Sequence, residues 1–162
     1  MDTDWLLGLL RRLNPDNVPG RITLIHRMGA TAIEEKLPPL LEAVQREGAN
    51  VLWCSDPMHG NTETTSGGIK TRRFDNIVRE LELAFETHRR IGTTLGGVHL
   101  EMTGENVTEC LGGSAKIDEA GLKVNYETYC DPRLNYSQAI EAAFTLANAI
   151  GAKAPAAKKA KK

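Results

Sequence analysis

The sequence predicts an α/β fold in which helices cover a parallel β-sheet. Short runs rich in β-branched and aliphatic residues alternate with longer segments whose apolar residues recur at helical spacing. This alternation is typical of parallel strands connected by helices. The 162 residues, of which 41% are hydrophobic and 25% charged, are sufficient for one domain with a buried core.

Four strands and four helices are predicted along the chain. The strand segments are 21–27 (RITLIHR), 50–55 (NVLWCS), 97–102 (GVHLEM) and 124–130 (VNYETYC). The helical segments are 1–13, 31–46, 70–91 and 137–150. Pro38 and Pro39 predict a kink or a late start in the second helix. Four such units fit either a small doubly wound sheet or one half of an eight-stranded barrel, and the pattern alone does not choose between them.

The composition excludes several classes of protein. The chain has no apolar run of the roughly 18 to 20 residues that a membrane helix requires. The first residues, MDTDWLLGLLRRLNPDN, place acids before a short apolar patch and have no small-residue cleavage site, which argues against a secretory signal. Three widely separated cysteines do not form a disulfide scaffold. We therefore expect a cytoplasmic protein without a membrane partner.

The charge distribution separates residues 1–152, the predicted domain, from a tail over 153–162. Five lysines lie in this acid-free tail. Removing them leaves 15 basic residues against 21 acidic ones, so the body has a net charge of −6 and is a poor polyanion binder. We expect a disordered tail and no nucleic-acid partner. Salt-sensitive polyanion binding through the lysines is the alternative.

Polar residues follow the ends of the predicted strands. Arg27 ends the first strand, His59 follows the second, Glu101 lies at the end of the third and Asp131 follows the fourth. Because the carboxyl ends of parallel strands share one face, these side chains are able to converge. Imidazole and carboxylate ligands suit Mn²⁺, Fe²⁺, Co²⁺ or Zn²⁺. Spacing alone is a weak signal, since such residues also occur near strand ends by chance.

Longer segments carry a resemblance to a known family. They are LIHRMGA (24–30), CSDPMHGNT (54–62), GGIKTRRFD (67–75), GGVHLEMTGENVTECLGG (96–113) and YETYCDPRLN (126–135). These segments closely resemble the class II 3-deoxy-D-arabino-heptulosonate 7-phosphate (DAHP) synthases, which open the shikimate pathway to chorismate and the aromatic amino acids. The resemblance runs from about residue 14 to residue 150. It implies a partial (β/α)8 TIM barrel, with about four β/α units forming the carboxyl-terminal half.

The resemblance also implies an activity and a metal. Family members condense phosphoenolpyruvate with erythrose 4-phosphate and release phosphate, using a divalent metal held by a Cys, a His, a Glu and an Asp. The last three ligands match His59, Glu101 and Asp131. We expect Mn²⁺, with Co²⁺, Fe²⁺ and Zn²⁺ as alternatives.

Further basic residues are candidates for substrate contacts. The phosphoenolpyruvate-contacting arginine of the family's RMG segment matches Arg27. A guanidinium offers a fixed fork of donors that matches phosphate or carboxylate oxygens. Lys70, Arg72 and Arg73 are candidates for contacts to the sugar phosphate, from their charge and position rather than from a family role.

Family members are much longer, and the resemblance covers only their carboxyl-terminal part. The upstream half would supply the first barrel strands and the metal-binding Cys. We expect a truncated enzyme first, then a half that pairs with a separate amino-terminal half, or a half barrel that self-associates through its unpaired sheet edges. The alternative is a non-catalytic half-barrel subunit that docks on a full-length synthase.

Overall fold

The computed structural model describes residues 2–151. Within that range a three-stranded parallel sheet is formed by β1 (Thr23–His26), β2 (Leu52–Ser55) and β5 (Leu95–Val98), in the order β1-β2-β5. A second sheet is the antiparallel hairpin of β3 (Thr62–Thr64) and β4 (Lys70–Arg72). The mixed α/β fold with a parallel sheet is thus confirmed.

Four α-helices accompany these strands in the described range. They are α1 (Thr3–Leu13), α2 (Ile33–Glu47), α3 (Phe74–Ile91) and α4 (Tyr136–Gly151). The helix α2 ends at Gly48 and α3 at Gly92, each in the left-handed conformation that favours glycine. None of these helices combines the length and the apolar character that a membrane-spanning helix needs.

The sequence placed several boundaries wrongly. Residues 70–72 were predicted as the start of a helix but form β4, and residues 62–64, which lie between the predicted strand 50–55 and the predicted helix 70–91, form β3. The third parallel strand ends at Val98 and not at residue 102. The helix α2 starts at Ile33 and runs through Pro38 and Pro39 without interruption, so no late start occurs.

The predicted fourth strand, 124–130, is wrong. Three of its backbone amides donate to side chains and not to a neighbouring strand. The amides of residues 127 and 128 donate to the Glu109 carboxylate at 3.3 and 2.9 Å, and the amide of Asn125 donates to Thr108 Oγ1 at 2.9 Å. Val124 and Tyr129 are exposed, so the apolar side chains of the segment do not enter a core. The structure therefore shows three of the four predicted parallel strands in its described part.

Two apolar clusters hold the fold together. The larger one lies where α1, α2 and α3 pack against β1 and β2, with Leu6, Leu37, Leu41, Trp53 and Leu83 among its buried members. The smaller one lies beneath the loops that follow the strands. It comprises Met58, Phe74, Ile77, Cys110, Leu134 and Ala142.

Two buried histidines lie between the sheet and α3. The rings of His26 and His88 are 5.7 Å apart, centroid to centroid, and Trp53 lies beside both. Neither ring nitrogen of His26 has a hydrogen-bond partner among the described residues, whereas His88 Nδ1 is 2.8 Å from Thr93 Oγ1. Burial lowers the pKa of each histidine to about 4.

The predicted tail over 153–162 lies outside the described residues, so the proposed boundary at residue 152 stays a prediction.

Candidate metal and anion site

The loop that follows β2 orients His59. Asp56, directly after the strand, is buried, and its Oδ1 accepts hydrogen bonds from the backbone amides of Met58 at 3.0 Å and His59 at 3.2 Å. Asp56 Oδ2 lies 2.6 Å from His59 Nδ1. A carboxylate bound to one imidazole nitrogen leaves the other nitrogen available as a ligand and fixes its direction. Asp56 therefore orients the His59 ring so that Nε2 faces the carboxyl ends of the strands.

Glu101 and Asp131 meet His59 at this point. Glu101 Oε1 lies 3.6 Å from His59 Nε2, and Asp131 Oδ2 lies 3.8 Å from it. The ligand atoms of the three residues all lie within 4.8 Å of one another. Two ligands that each contact one ion at about 2.1 Å lie roughly 3 to 4 Å apart. The three side chains predicted as metal ligands are thus brought together with the spacing of a cation site.

Arg72 lies behind the two carboxylates. Its side chain is fully buried; the guanidinium pairs with Glu101, donates to the Pro132 carbonyl and donates to Thr62 Oγ1 at 2.9 Å. Its Nη2 lies 3.9 Å from Asp131 Oδ1. The arginine therefore neutralises part of the acidic charge and orients Glu101. Its predicted contact with a sugar phosphate stays a prediction, because the observed bonds are all internal.

Lys70 and Arg27 form the cationic rim of an open depression of about 370 Å³, which His59 and Asp131 also line. The ammonium of Lys70 pairs with Asp131, and this contact lowers the pKa of Asp131 and raises that of Lys70. Cationic groups beside a candidate metal site suit a ligand that carries both anionic and metal-binding oxygens. Arg73, the remaining candidate, pairs with Glu63 at 2.9 Å and is about half exposed.

Glu109 organises the loop that carries Asp131. Its buried carboxylate pairs with Arg133 at 2.6 Å and also accepts the backbone amides of Thr128 at 2.9 Å and Arg133 at 2.8 Å. The bonds from Arg133 are the cause that lowers the pKa of Glu109, against the effect of burial. Sequence reasoning missed this residue, although an acid beside Cys110 and Leu111 in an apolar stretch was a signal for it.

His99 belongs to a second group of potential ligands. The group joins it to Asp56 and His59, and its exposed ring stacks on that of His59 with centroids 6.1 Å apart. The two groups share His59. Two members of the group of His59, Glu101 and Asp131 line the depression with the cationic rim, namely His59 and Asp131, whereas His59 alone does so from the group that contains His99.

The fold and the site define an α/β protein with a candidate divalent-metal centre at the carboxyl ends of its strands, beside an anion-binding rim. The model of the class-II DAHP synthetase family matches residues 1–147, and the chain belongs to that family.

Curated relatives support the same assignment. The chain is 52% identical over 141 residues to the phospho-2-dehydro-3-deoxyheptonate aldolase AroG of Mycolicibacterium smegmatis, which covers 87% of this chain and 30% of the relative. It is 51% identical over 141 residues to the phospho-2-dehydro-3-deoxyheptonate aldolase of Streptomyces coelicolor, covering 87% and 31%. A Neurospora crassa protein of the same name is 49% identical over 148 residues, covering 90% and 31%. The chain spans about 30% of the length of these relatives.

Proposed function

We propose that this chain forms the carboxyl-terminal part of a 3-deoxy-7-phosphoheptulonate synthase. The complete reaction converts phosphoenolpyruvate, erythrose 4-phosphate and water into DAHP and phosphate, the first step of the shikimate pathway. The observation that carries the proposal is the convergence of His59, Glu101 and Asp131 beside the basic residues Arg27 and Lys70. The family assignment and the names of the curated relatives support it.

The donor set fits a divalent metal, because it combines one oriented imidazole with two carboxylates. His59, Glu101 and Asp131 would hold the ion, and we propose Mn²⁺ ahead of Co²⁺, Fe²⁺ and Zn²⁺. When bound, such an ion supplies Lewis-acid polarisation of the aldehyde oxygen of erythrose 4-phosphate. Within the chain, Asp56 holds the imidazole in position and Arg72 keeps the Glu101 carboxylate aligned.

The basic residues bind the anionic parts of the substrates in this proposal. Arg27 holds the phosphate or carboxylate of phosphoenolpyruvate through its fork of N–H donors. Lys70, on the rim of the depression, is assigned to the sugar phosphate. Arg72 and Arg73 stay candidates for this contact from the sequence alone, since Arg72 is buried against Glu101 and Arg73 pairs with Glu63. The C3 of bound phosphoenolpyruvate then forms a bond to the aldehyde carbon, and water adds at C2. The bond between C2 and the phosphate oxygen breaks to leave a ketone at C2, and the two protons of the water pass to the former aldehyde oxygen and to the departing phosphate.

We further propose that the sheet continues into a barrel completed by a chain segment beyond this one. A largely apolar groove of about 650 Å³ lies between α1, β1 and α2, and Trp5 and Ile25 on its rim are 60% and 56% exposed. The strand β1 is at the edge of the sheet, with one side free for a further strand in the described range. These features support a missing amino-terminal half as the partner, and a second copy is the alternative.

The same groove supports the second candidate function, a non-catalytic subunit that docks on a full-length synthase. We propose a cytoplasmic location for either form, which agrees with Cys54, Cys110 and Cys130 all being free thiols. The two functions differ in whether they need His59. The enzyme requires His59 as a metal ligand, whereas a docking subunit would co-purify with a full-length synthase whether or not His59 is present.

Metal titration tests the site. The variants His59→Ala and Glu101→Ala are expected to lose at least about two orders of magnitude in Mn²⁺ affinity, because each removes a direct ligand. Glu105→Ala is the matched control, since Glu105 is an exposed carboxylate outside the cluster. Equal Mn²⁺ affinity in His59→Ala and in the wild type would refute the metal assignment.

A coupled assay tests the activity. Phosphoenolpyruvate consumption is measured with erythrose 4-phosphate and Mn²⁺, with and without the amino-terminal two-thirds of a relative added in trans. We expect turnover with the added half, and its loss in His59→Ala. Turnover that persists in His59→Ala would contradict the proposed role of the site, and no turnover in either mixture would favour the docking subunit.

A further inference from the structure

The loops that carry Arg27 and His59 touch through two glycines. A Cβ on Gly60 would lie 2.3 Å from the Gly29 backbone nitrogen, and a Cβ on Gly29 would lie 2.7 Å from the Gly60 carbonyl oxygen. Gly29 also has a φ of +84°, a conformation that disfavours other residues. The backbones after β1 and after β2 are therefore in direct contact, and the two site residues flank that contact.

Glu80 reaches this contact from α3. The carboxylate is fully buried, and it accepts the Met28 amide at 2.9 Å and Asn61 Nδ2 at 2.6 Å. Within residues 2–151 it has no Lys or Arg partner. Burial raises its pKa, and the hydrogen bond from the Met28 amide acts against that effect.

Asn61 joins the same two loops from the other side. Its Oδ1 accepts the Ala30 amide at 3.0 Å, which belongs to the Arg27 loop. Its Nδ2 donates to the Pro57 carbonyl at 2.8 Å, which belongs to the His59 loop, and also to Glu80. Asn61 is itself buried, so these hydrogen bonds do not compete with bulk water.

The position of Glu80 on its helix makes a purely structural role costly. It lies on the buried stripe of α3 between Ile77 and Leu81, where an apolar side chain would avoid the desolvation of a carboxylate. Every hydrogen bond that the carboxylate accepts comes from a residue of the Arg27 loop or the His59 loop. These hydrogen bonds therefore stabilise the position of the two loops relative to each other.

We propose that Glu80 is a positioning residue, which together with Asn61 holds the anion-binding Arg27 at a set distance from the metal ligand His59. This inference rests on the proposed function, in which Arg27 binds phosphate and His59 binds a metal. Glu80 contacts neither ligand, and it acts through the Met28 amide and through Asn61. His59 keeps its separate support from Asp56, so the loss of Glu80 affects the anion more than the metal.

The variant Glu80→Gln tests the proposal with almost no change in volume. Both oxygens of a carboxylate accept hydrogen bonds, whereas the side-chain NH₂ of glutamine must face either Asn61 Nδ2 or the Met28 amide. One of these two donors then loses its acceptor. Glu82→Gln is the matched control, because Glu82 is exposed on the same helix two residues away.

Two measurements are made on each folded variant. Hydrogen exchange of the residue 28–30 amides reports on the loop directly, and we expect it to be at least about tenfold faster in Glu80→Gln, the equivalent of one lost buried hydrogen bond. Affinities for inorganic phosphate and Mn²⁺ report on the two halves of the site. We expect phosphate binding to weaken about tenfold and Mn²⁺ affinity to stay within about threefold.

The outcomes separate the positioning role from stability and from the proposed function. Unchanged exchange and unchanged phosphate affinity, even with a lower melting temperature, would overturn the positioning role. A parallel loss of phosphate and Mn²⁺ affinity would also overturn it, because it would indicate general disruption of the site. If the wild-type chain binds neither probe, the proposed function fails for this chain, and the exchange measurement alone then decides whether Glu80 holds the loop.

Discussion

Replacing Gly60 with alanine tests the contact between the two site loops. The added Cβ would lie 2.3 Å from the Gly29 nitrogen, 2.9 Å from the Met28 carbonyl carbon and 3.0 Å from the Gly29 Cα, where ordinary contacts begin at 3.4 Å. The nearest atoms belong to backbone, so the loops must separate by about 1 Å. Glu80 holds the Met28–Gly29 segment from behind and opposes that movement.

The cost follows from the overpacking of a well-packed region. Inserting a methyl group into such a site destabilises a protein by about 1–3 kcal/mol. Because backbone has to move here, we expect the upper end, about 3 kcal/mol. With a urea dependence of roughly 1–3 kcal/mol per molar, the unfolding midpoint falls by about 1 M or more.

Urea unfolding followed by circular dichroism measures this shift, and Gly67→Ala is the control. A Cβ on Gly67 would meet nothing closer than Thr65 Oγ1 at 3.8 Å, and its φ lies outside the left-handed region. The control therefore reports the small gain of about 0.4–1 kcal/mol that alanine brings by restricting the unfolded chain. A Gly60→Ala midpoint equal to that of Gly67→Ala would refute the close approach of the two loops.

Three further outcomes are expected. His26 binds a proton more readily in the unfolded chain, so the free energy of unfolding decreases as pH falls from 6.5 to about 4, by about 3 kcal/mol for this group. His26→Leu should reduce this decrease. An equal acid dependence of the urea midpoint in the variant and the wild type would contradict this. Leu41→Ala empties a fully buried position, and thermal unfolding should show a loss of about 2–5 kcal/mol. Arg133→Ala leaves the buried Glu109 carboxylate without its cation, which should lower the free energy of unfolding by about 3 kcal/mol. It should also weaken Mn²⁺ binding, because the same loop carries Asp131. Unchanged Mn²⁺ affinity would show that the position of Asp131 does not depend on the pair of Arg133 and Glu109.

The sequence predicted the helices better than the strands, for a physical reason. The stripe of Phe74, Ile77 and Leu81 at helical spacing follows from burial on one side of a helix, and that helix ends at Ile91, the end of the predicted segment 70–91. The segment 124–130 has strand-forming residues, but within residues 2–151 no strand lies beside it to receive its hydrogen bonds. Its pairing with Glu109 is a long-range contact that local composition does not encode.

The candidate site likewise combines features that the local sequence predicts with contacts that only the folded chain forms. The expectation that strand ends meet at one face led from separate sequence positions to His59, Glu101 and Asp131, whose ligand atoms do lie together. It did not anticipate that Arg72, selected for its charge, lies buried against Glu101. Charge is visible in a sequence, but the direction of a long side chain depends on which carboxylates surround it.

Local sequence by itself determined the alternation of strands and helices, the family to which the chain belongs, and the chemical types of the candidate ligands. Those features depend on side-chain periodicity and on residue identity, both of which are carried along the chain. Only the tertiary structure decided that Glu80 and Asn61 join the Arg27 loop to the His59 loop. The reason is that the contribution of a buried hydrogen bond depends on which groups converge on it. Here the donors lie in two separate loops and the Glu80 acceptor lies on α3, so three parts of the chain must meet.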